Sequence, residues 1–139
     1  VSLETCELLR PTTPFRKYEH IKAASEMILE ETSVSAIVSV SKIDACPYKW
    51  MILSEKGYLK SPFADMKPDD VNLPRQSFSK MLYPDGYVDV LRSKNILEND
   101  SMYGLTPIPY FTPIDTIDID EPGDLIKIEE LLVKQSELK

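Results

Sequence analysis

The stretch "VSAIVSVSK", residues 34–42, decides how the surrounding sequence is interpreted. It contains four β-branched apolar residues, which is typical of a buried strand. Upstream of it, residues 17–32 show the apolar spacing of an amphipathic helix, and "CELL", residues 6–9, predicts a short strand. The apolar face of that helix is predicted to hold Ile21, Ala24, Ile28 and Leu29. The order strand, helix, strand predicts a βαβ unit in a parallel sheet and therefore an α/β fold.

The middle of the chain predicts turns and short strands. Residues 48–63 resemble a hairpin, because two apolar runs flank "EKG" at 55–57. Residues 64–75 are rich in proline and predict a loop. The tripeptide "PDG" at 84–86 predicts a turn, followed by the strand "YVDVL" at 87–91.

The last third of the chain predicts two further strands and two helices. Residues 93–98 predict a short helix, and "TPIPYFT" at 106–112 predicts an extended segment. "TIDID" at 116–120 alternates with period two and predicts the last strand. A closing helix is predicted over residues 121–136. The apolar stripe of this helix is predicted to hold Leu125, Ile128, Leu131 and Leu132.

Two aspartates in the last predicted strand raise a question of chemistry. Asp118 and Asp120 would point to one face of a strand, where two like charges repel unless a cation lies between them. Such a pair suits Mg²⁺, a hard ion that takes one or two carboxylates. Taken alone, the pattern fits better a solvated Asp118 and an Asp120 that caps the closing helix.

Composition narrows the class of protein. The chain has 139 residues, 42% hydrophobic and 28% charged, which suits one globular domain. A net charge of −7 disfavours nucleic-acid binding, and no apolar run is long enough for a membrane span. A single histidine argues against a His-rich metal site, and two distant cysteines favour a reduced, cytoplasmic protein.

Four segments occur in an order that resembles the acylneuraminate cytidylyltransferases, which make CMP-sialic acid and related CMP-sugars. They are "LLRPTTPFR" at 8–16, "CPYKW" at 46–50, "LPRQSF" at 73–78 and "TIDIDEPGDL" at 116–125. None is very specific alone, but the four in this order are. The resemblance implies a three-layer nucleotide-diphospho-sugar transferase-like (Rossmann-like) mixed sheet. It also implies a β-rich dimerisation arm over about residues 45–84 of this single, partial domain.

The resemblance implies that CMP is transferred from CTP to a 2-keto sugar acid with release of pyrophosphate. It implies Mg²⁺ as cofactor, held by Asp118 and Asp120, which would also be the catalytic residues. It implies a homodimer, with Arg75 and Lys49 reaching the sugar acid across the subunit interface. The substrate-binding residues implied in this way are Arg10, Thr12, Arg16, Lys49, Arg75, Gln76 and Tyr103. Without the resemblance, Arg75 would be interpreted as a surface ion pair and Lys49 as a solvated strand residue. Arg16 could hold its loop or approach a phosphate, and it could equally well be a surface charge at the start of the helix.

Some positions depart from the family pattern. Arg10 stands where sialic-acid enzymes have glutamine, and Asp85 and Asp89 stand for asparagine and tyrosine. The acceptor therefore stays open among sialic, legionaminic, pseudaminic and related acids. The Gly-rich, basic loop that holds CTP phosphates in the family would precede Val1, so we expect a C-terminal portion that is inactive alone. The alternative is a non-catalytic dimerising remnant of the fold; a metal-dependent glycosyltransferase is weaker, because only one helix follows the acidic pair.

Overall fold

The computed structural model describes residues 4–114 and 116–137. The chain divides into two compact units, one formed by residues up to Ser41 and from Pro84 onward, the other by Lys42–Tyr83. The strands are β1 Thr5–Leu8, β2 Ala36–Lys42, β3 Ile52–Leu53, β4 Leu59–Lys60, β5 Leu82–Arg92 and β6 Pro107–Phe111. The helices are α1 Tyr18–Glu30, α2 Ser93–Asn99 and α3 Pro122–Glu137.

The first unit is built on a mixed sheet in the order β1-β5-β2-β6. β1 pairs antiparallel with β5, and β2 pairs parallel with β6. The C-terminal end of β5 bonds next to the start of β2, through the N–H of Arg92 and the carbonyl of Ser35. The N-terminal part of β5 bonds near the end of β2, where the hydroxyl of Ser41 donates to Asp85. β5 therefore runs antiparallel to β2. β1 and β2 are thus parallel, as the βαβ prediction requires, but β5 lies between them. The α/β class is confirmed, and the three-layer arrangement stays a prediction.

Strand β2 is buried on both faces over residues 36–40, which explains why apolar residues occupy adjacent positions in it, with Ser39 as the one buried polar residue of that stretch. On one face Ile37 packs with Ala24 and Ile28 of α1 and with apolar residues of β5. On the other, Ala36, Val38 and Val40 pack with Leu91. The predicted face of α1 is wrong at one position, because Leu29 is 55% exposed.

The predicted turn at 84–86 is wrong, because β5 runs through these residues. Gly86 has a φ of +66°, a conformation that favours glycine and is typical of a bulge rather than a chain reversal. The carboxylate of Asp85 replaces part of the ladder: it accepts the N–H of Tyr87 at 3.1 Å and the hydroxyl of Ser41 at 2.7 Å. A sequence typical of a turn therefore lies within a long strand.

The predicted strand at 116–120 is also wrong, since these residues form neither a strand nor a helix. One backbone bond, from Ile119 N–H to the carbonyl of Thr12 at 2.9 Å, attaches the segment to the first unit. Asp120 does not cap the next helix as expected. α3 begins at Pro122, and the carboxylate of Asp124 accepts the N–H groups of Asp120 and Glu121.

The second unit, Lys42–Tyr83, contains the predicted hairpin. β3 and β4 pair antiparallel around residues 54–58. The unit also contains three 3₁₀ turns, which are Pro47–Lys49, Pro68–Asn72 and Arg75–Ser77. Tyr48 stacks on Phe78 with ring centroids 5.1 Å apart and also contacts Phe63. The limits of this unit lie near those predicted for the arm, while its role in dimerisation stays a prediction.

None of the helices in the described part of the chain combines the length and the apolar character that a bilayer crossing requires.

Arg92 stabilises the junction between α1 and β2. Its guanidinium donates to the carbonyls of Ile28 and Val34 at 2.7 and 2.9 Å, and it pairs with Glu4 at 2.8 Å. Carbonyls in the last turn of a helix lack helical partners, so the arginine satisfies groups that would otherwise need water.

We expect Arg92→Lys to lower the free energy of unfolding by about 1–3 kcal/mol, because a single ammonium cannot replace the fork. Urea unfolding measures this, and Lys94→Met, at an exposed i,i+4 pair, should change it by less than about 0.5 kcal/mol. Equal stability of the two variants would contradict the assignment.

Asp89 makes stability depend on pH in a defined direction. Burial raises the pKa of Asp89 above its ordinary value of 3.8, although hydrogen bonds from Tyr103 and Ser39 oppose the shift. The folded state therefore binds a proton more tightly than the unfolded state. The free energy of unfolding should rise, relative to Asp89→Asn, as the pH falls through the raised pKa, and the gain should level off below about 3.8. Urea titrations of both proteins between neutral and acid pH give this difference. A difference that stayed flat, or that fell toward acid pH, would contradict the prediction.

Candidate active site

The predicted site residues lie in both units. The first unit holds Arg10, Thr12, Arg16, Tyr103, Asp118 and Asp120, and the second holds Lys49, Arg75 and Gln76.

Arg16 fixes the loop that follows β1. Its Nη2 donates to the carbonyl of Gly86 at 3.0 Å and to that of Arg10, while its Nε donates to the carbonyl of Tyr87. The preceding Phe15 has a φ of 62°, a conformation that costs energy for a residue with a β-carbon. Burial lowers the pKa of Arg16, and the charges of Tyr87 and Asp118 partly offset this. Arg16 thus holds its loop, and its contact with substrate stays a prediction.

Tyr87 supports the same loop from beneath. Its ring is fully buried, and its hydroxyl accepts the backbone N–H of Lys17 at 2.9 Å. The hydroxyl also lies 2.9 Å from Nδ1 of His20, which is therefore bonded inside the fold. Sequence reasoning placed Tyr87 in a strand but gave no sign of this role.

Asp118 lies against the loop with one oxygen unused. Its Oδ1 is buried and has no hydrogen-bond partner, and its negative charge acts on Arg16. The bond from Ile119 to Thr12 brings the two segments together. The hydroxyl of Thr13, in a fully buried residue, is likewise unpartnered. The hydroxyl of Thr112 is buried without a partner as well. Buried polar atoms in native proteins almost always have a partner, so the charged oxygen of Asp118 is the strongest candidate of the three to bind a water or an ion.

The donor set fits Mg²⁺ in part. An unpaired carboxylate oxygen on Asp118 is the kind of ligand the ion prefers, and Asp120 is an exposed carboxylate two residues away. Within the described ranges, no cluster of three or more His, Cys, Asp or Glu side chains is arranged to hold a metal.

Arg10 belongs to a second cluster, with two aspartates that sequence reasoning had noted only as departures. Asp89 is 2% exposed and accepts the N–H of Ser39 at 3.2 Å and the hydroxyl of Tyr103 at 3.1 Å. Asp85, 5% exposed, lies close enough for its charge to raise the pKa of Asp89. Burial and the charge of Asp89 raise the pKa of Tyr103, while Arg10 lowers it by its charge and a hydrogen bond. Both acids occur in "DGYVDV", and two aspartates in a strand-forming segment are the signal that could have revealed them.

The predicted residues of the second unit are exposed and lie in 3₁₀ turns. Lys49 ends the turn Pro47–Lys49, and Arg75 and Gln76 begin the turn Arg75–Ser77. The guanidinium of Arg75 donates to the carbonyl of Asp44 in the same unit. The structure therefore brings Arg75 to the segment before Lys49, with donors left for a ligand or for water.

Comparison with known proteins finds relatives in one functional group. No family model matches the chain. The N-acylneuraminate cytidylyltransferase of Streptococcus agalactiae serotype III (strain NEM316) is 30% identical over 122 residues, which cover 87% of this chain and 28% of that protein. The CMP-N,N'-diacetyllegionaminic acid synthase of Legionella pneumophila is 30% identical over 136 residues, which cover 95% of this chain and 55% of that protein.

The chain thus spans between about a quarter and about half of the length of the curated relatives it matches. The similarity extends over nearly all of the chain itself and includes all four segments on which the resemblance rests. The resemblance is therefore confirmed, and the chain is a relative of the acylneuraminate cytidylyltransferase family.

Proposed function

We propose that the chain is part of a CMP-sugar synthetase-type nucleotidyltransferase that transfers CMP from CTP to a 2-keto sugar acid and releases pyrophosphate. Two observations support this: the relatives are named as enzymes of this kind, and Asp118 carries a buried oxygen without a partner beside the loop after β1. The second observation carries the proposal, because it is made on the structure of this chain and not on the names of its relatives. The acceptor is a sialic, legionaminic or pseudaminic type of acid, and the enzyme is a cytoplasmic homodimer.

The reaction needs positioning more than covalent chemistry. The anomeric hydroxyl of the acid attacks the α-phosphate in line with the leaving pyrophosphate, so the groups must be aligned and the phosphate charge neutralised. Arg16 would keep the loop of Thr12 in place through its three carbonyl contacts. Its fixed positive charge would also favour phosphate oxygens that approach Asp118.

Mg²⁺ would be held by Asp118 with help from Asp120. When bound, it supplies charge neutralisation at phosphate oxygens and satisfies the unpaired carboxylate oxygen. Asp120 is exposed, which suits a second carboxylate that reaches the ion directly or through water.

Arg10, Thr12 and Tyr103 would bind the acceptor in the first unit. Lys49, Arg75 and Gln76 would contact the sugar acid of a neighbouring subunit, with Arg75 pairing its carboxylate through a planar fork. We propose that this chain by itself does not turn over CTP. A chain that only preserved the fold, as in the remnant alternative, would bind neither metal nor acceptor.

The role of Asp118 can be tested in the natural full-length protein. Asp118→Asn should lower Mg²⁺-dependent pyrophosphate release by at least about 10²-fold, because the carboxylate that faces the ion is lost. Water-proton relaxation with Mn²⁺ in place of Mg²⁺ should show weaker metal binding independently of turnover. Asp65→Asn, at an exposed aspartate of the second unit, is the matched control and should leave both readouts unchanged. Unchanged metal binding in Asp118→Asn would remove the metal assignment.

The role of Arg75 predicts a selective effect on one substrate. Arg75→Ala should raise the KM for the sugar acid about tenfold or more and leave the KM for CTP nearly unchanged, because the lost fork pairs only with the acid. Steady-state kinetics with each substrate varied in turn measure this. Lys80→Ala removes another exposed charge from the same unit and should change neither value. A larger effect on CTP than on the acid would contradict the carboxylate assignment.

A further inference from the structure

One backbone hydrogen bond brings Thr13 close to Asp118. The N–H of Ile119 donates to the carbonyl of Thr12 at 2.9 Å. The donor belongs to the peptide group that joins Asp118 to Ile119. The acceptor belongs to the peptide group that joins Thr12 to Thr13. Thr13 and Asp118 therefore flank the same hydrogen bond, at neighbouring positions of two segments that are far apart in the sequence.

Both of these residues carry a buried oxygen that is not satisfied. Among the described residues, the hydroxyl of the fully buried Thr13 has no hydrogen-bond partner, and neither has the buried Oδ1 of Asp118. Each unpaired group costs free energy, and the cost is larger for a charged oxygen. A buried water makes about three hydrogen bonds to polar groups of this kind, so one water between the two residues would satisfy both.

Arg16 connects the two residues by a second route. The N–H of Thr13 donates to the carbonyl of Arg10 at 3.3 Å, and Nη2 of Arg16 donates to the same carbonyl. The negative charge of Asp118 acts on Arg16 as well. One guanidinium thus lies near both Thr13 and Asp118, which supports their closeness independently of the bond between Ile119 and Thr12.

We propose that Thr13 is a positioning residue that binds one water together with Asp118 and thereby orients the carboxylate that meets the divalent cation. A carboxylate oxygen has two lone pairs, so the water leaves room for a cation on the same oxygen. The inference rests on the proposed function for the identity of the cation. It adds to that function a residue that acts through Asp118, without contact to metal or substrate.

A double-mutant cycle in EDTA tests the shared water without metal. In the natural full-length protein, Thr13→Val removes the hydroxyl, and Asp118→Ala removes the carboxylate. Urea unfolding of the two single variants and of the double variant should show effects that do not add, because the first change already releases the water. Effects that add within the error of the cycle would overturn the proposal.

Thr112→Val is the matched control for this cycle. The hydroxyl of Thr112 is also buried without a partner in the described part of the chain, and its N–H donates to the carbonyl of Val40 in β2 at 3.2 Å. Its effect should add to that of Asp118→Ala. If Thr112→Val couples to Asp118→Ala as strongly as Thr13→Val does, the link between Thr13 and Asp118 is not specific and the proposal is wrong.

Metal binding measures the consequence of this positioning. With Mn²⁺ in place of Mg²⁺, water-proton relaxation should give a Kd about tenfold or more higher for Thr13→Val, because groups that orient a metal ligand affect metal affinity by about 10–100-fold. Thr13→Ser keeps the hydroxyl and should bind nearly as the wild-type protein does. A merely structural threonine predicts the reverse, since loss of an unpaired hydroxyl would stabilise the fold and leave the Kd unchanged. That result would overturn the positioning role.

The two readouts separate this inference from the proposed function. If the wild-type protein binds no Mn²⁺ but the cycle shows coupling, the proposed function fails and the water shared by Thr13 and Asp118 stands. If Thr13→Val does not fold, a high-resolution crystal structure of the wild-type protein in EDTA decides the question. One water within hydrogen-bond distance of both oxygens supports the proposal, and separate partners for the two oxygens overturn it.

Discussion

Strand β5 carries hydrogen-bonding side chains into the centre of the sheet, and the first unit depends on that constraint. The carboxylate of Asp89 accepts the N–H of Ser39, and the hydroxyl of Ser39 accepts the N–H of Val88 at 2.9 Å. These reciprocal bonds cross-link β2 to β5 where both strands are buried. A buried polar group without a partner costs about 1–3 kcal/mol, so the pairing allows one register only. β1 pairs with β5, β6 pairs with β2, and α1 packs on the same two strands.

The loop after β1 acquires its shape from the same strand. Arg16 binds carbonyls of Gly86 and Tyr87, and the hydroxyl of Tyr87 accepts a bond from the start of α1. The energetic cost of Phe15 in a left-handed conformation is offset by these contacts. Gly86 lies where both groups of candidate site residues in this unit meet the strand. Its carbonyl accepts a bond from Arg16, and the side chain of Arg10 lies where a β-carbon of any other residue would stand.

Elements with a strong period could be predicted from the sequence, and those fixed by side-chain bonds could not. α1, β2 and the hairpin of β3 and β4 follow from apolar spacing and from one turn glycine, and all three are confirmed. "PDG" was expected to reverse the chain because these residues usually do so. In the protein, the carboxylate of Asp85 accepts bonds from Ser41 and Tyr87, and the strand continues. Ser41 lies 44 positions from Asp85, and so distant a contact leaves no sign in the local sequence. The segment 116–120 shows the converse, since it has the alternation of a strand but forms none.

The candidate site could be predicted in its parts but not in its groupings. Asp118 and Arg16 were both identified, yet only the fold shows that the charge of one acts on the other. An unpaired, buried carboxylate oxygen beside an arginine is costly, and nothing in the packing of the unit requires it. A protein that retained only the architecture of its relatives would gain stability by replacing or exposing that acid. A bound cation would satisfy this oxygen, and that is the physical reason that we propose a catalytic chain rather than a dimerising remnant.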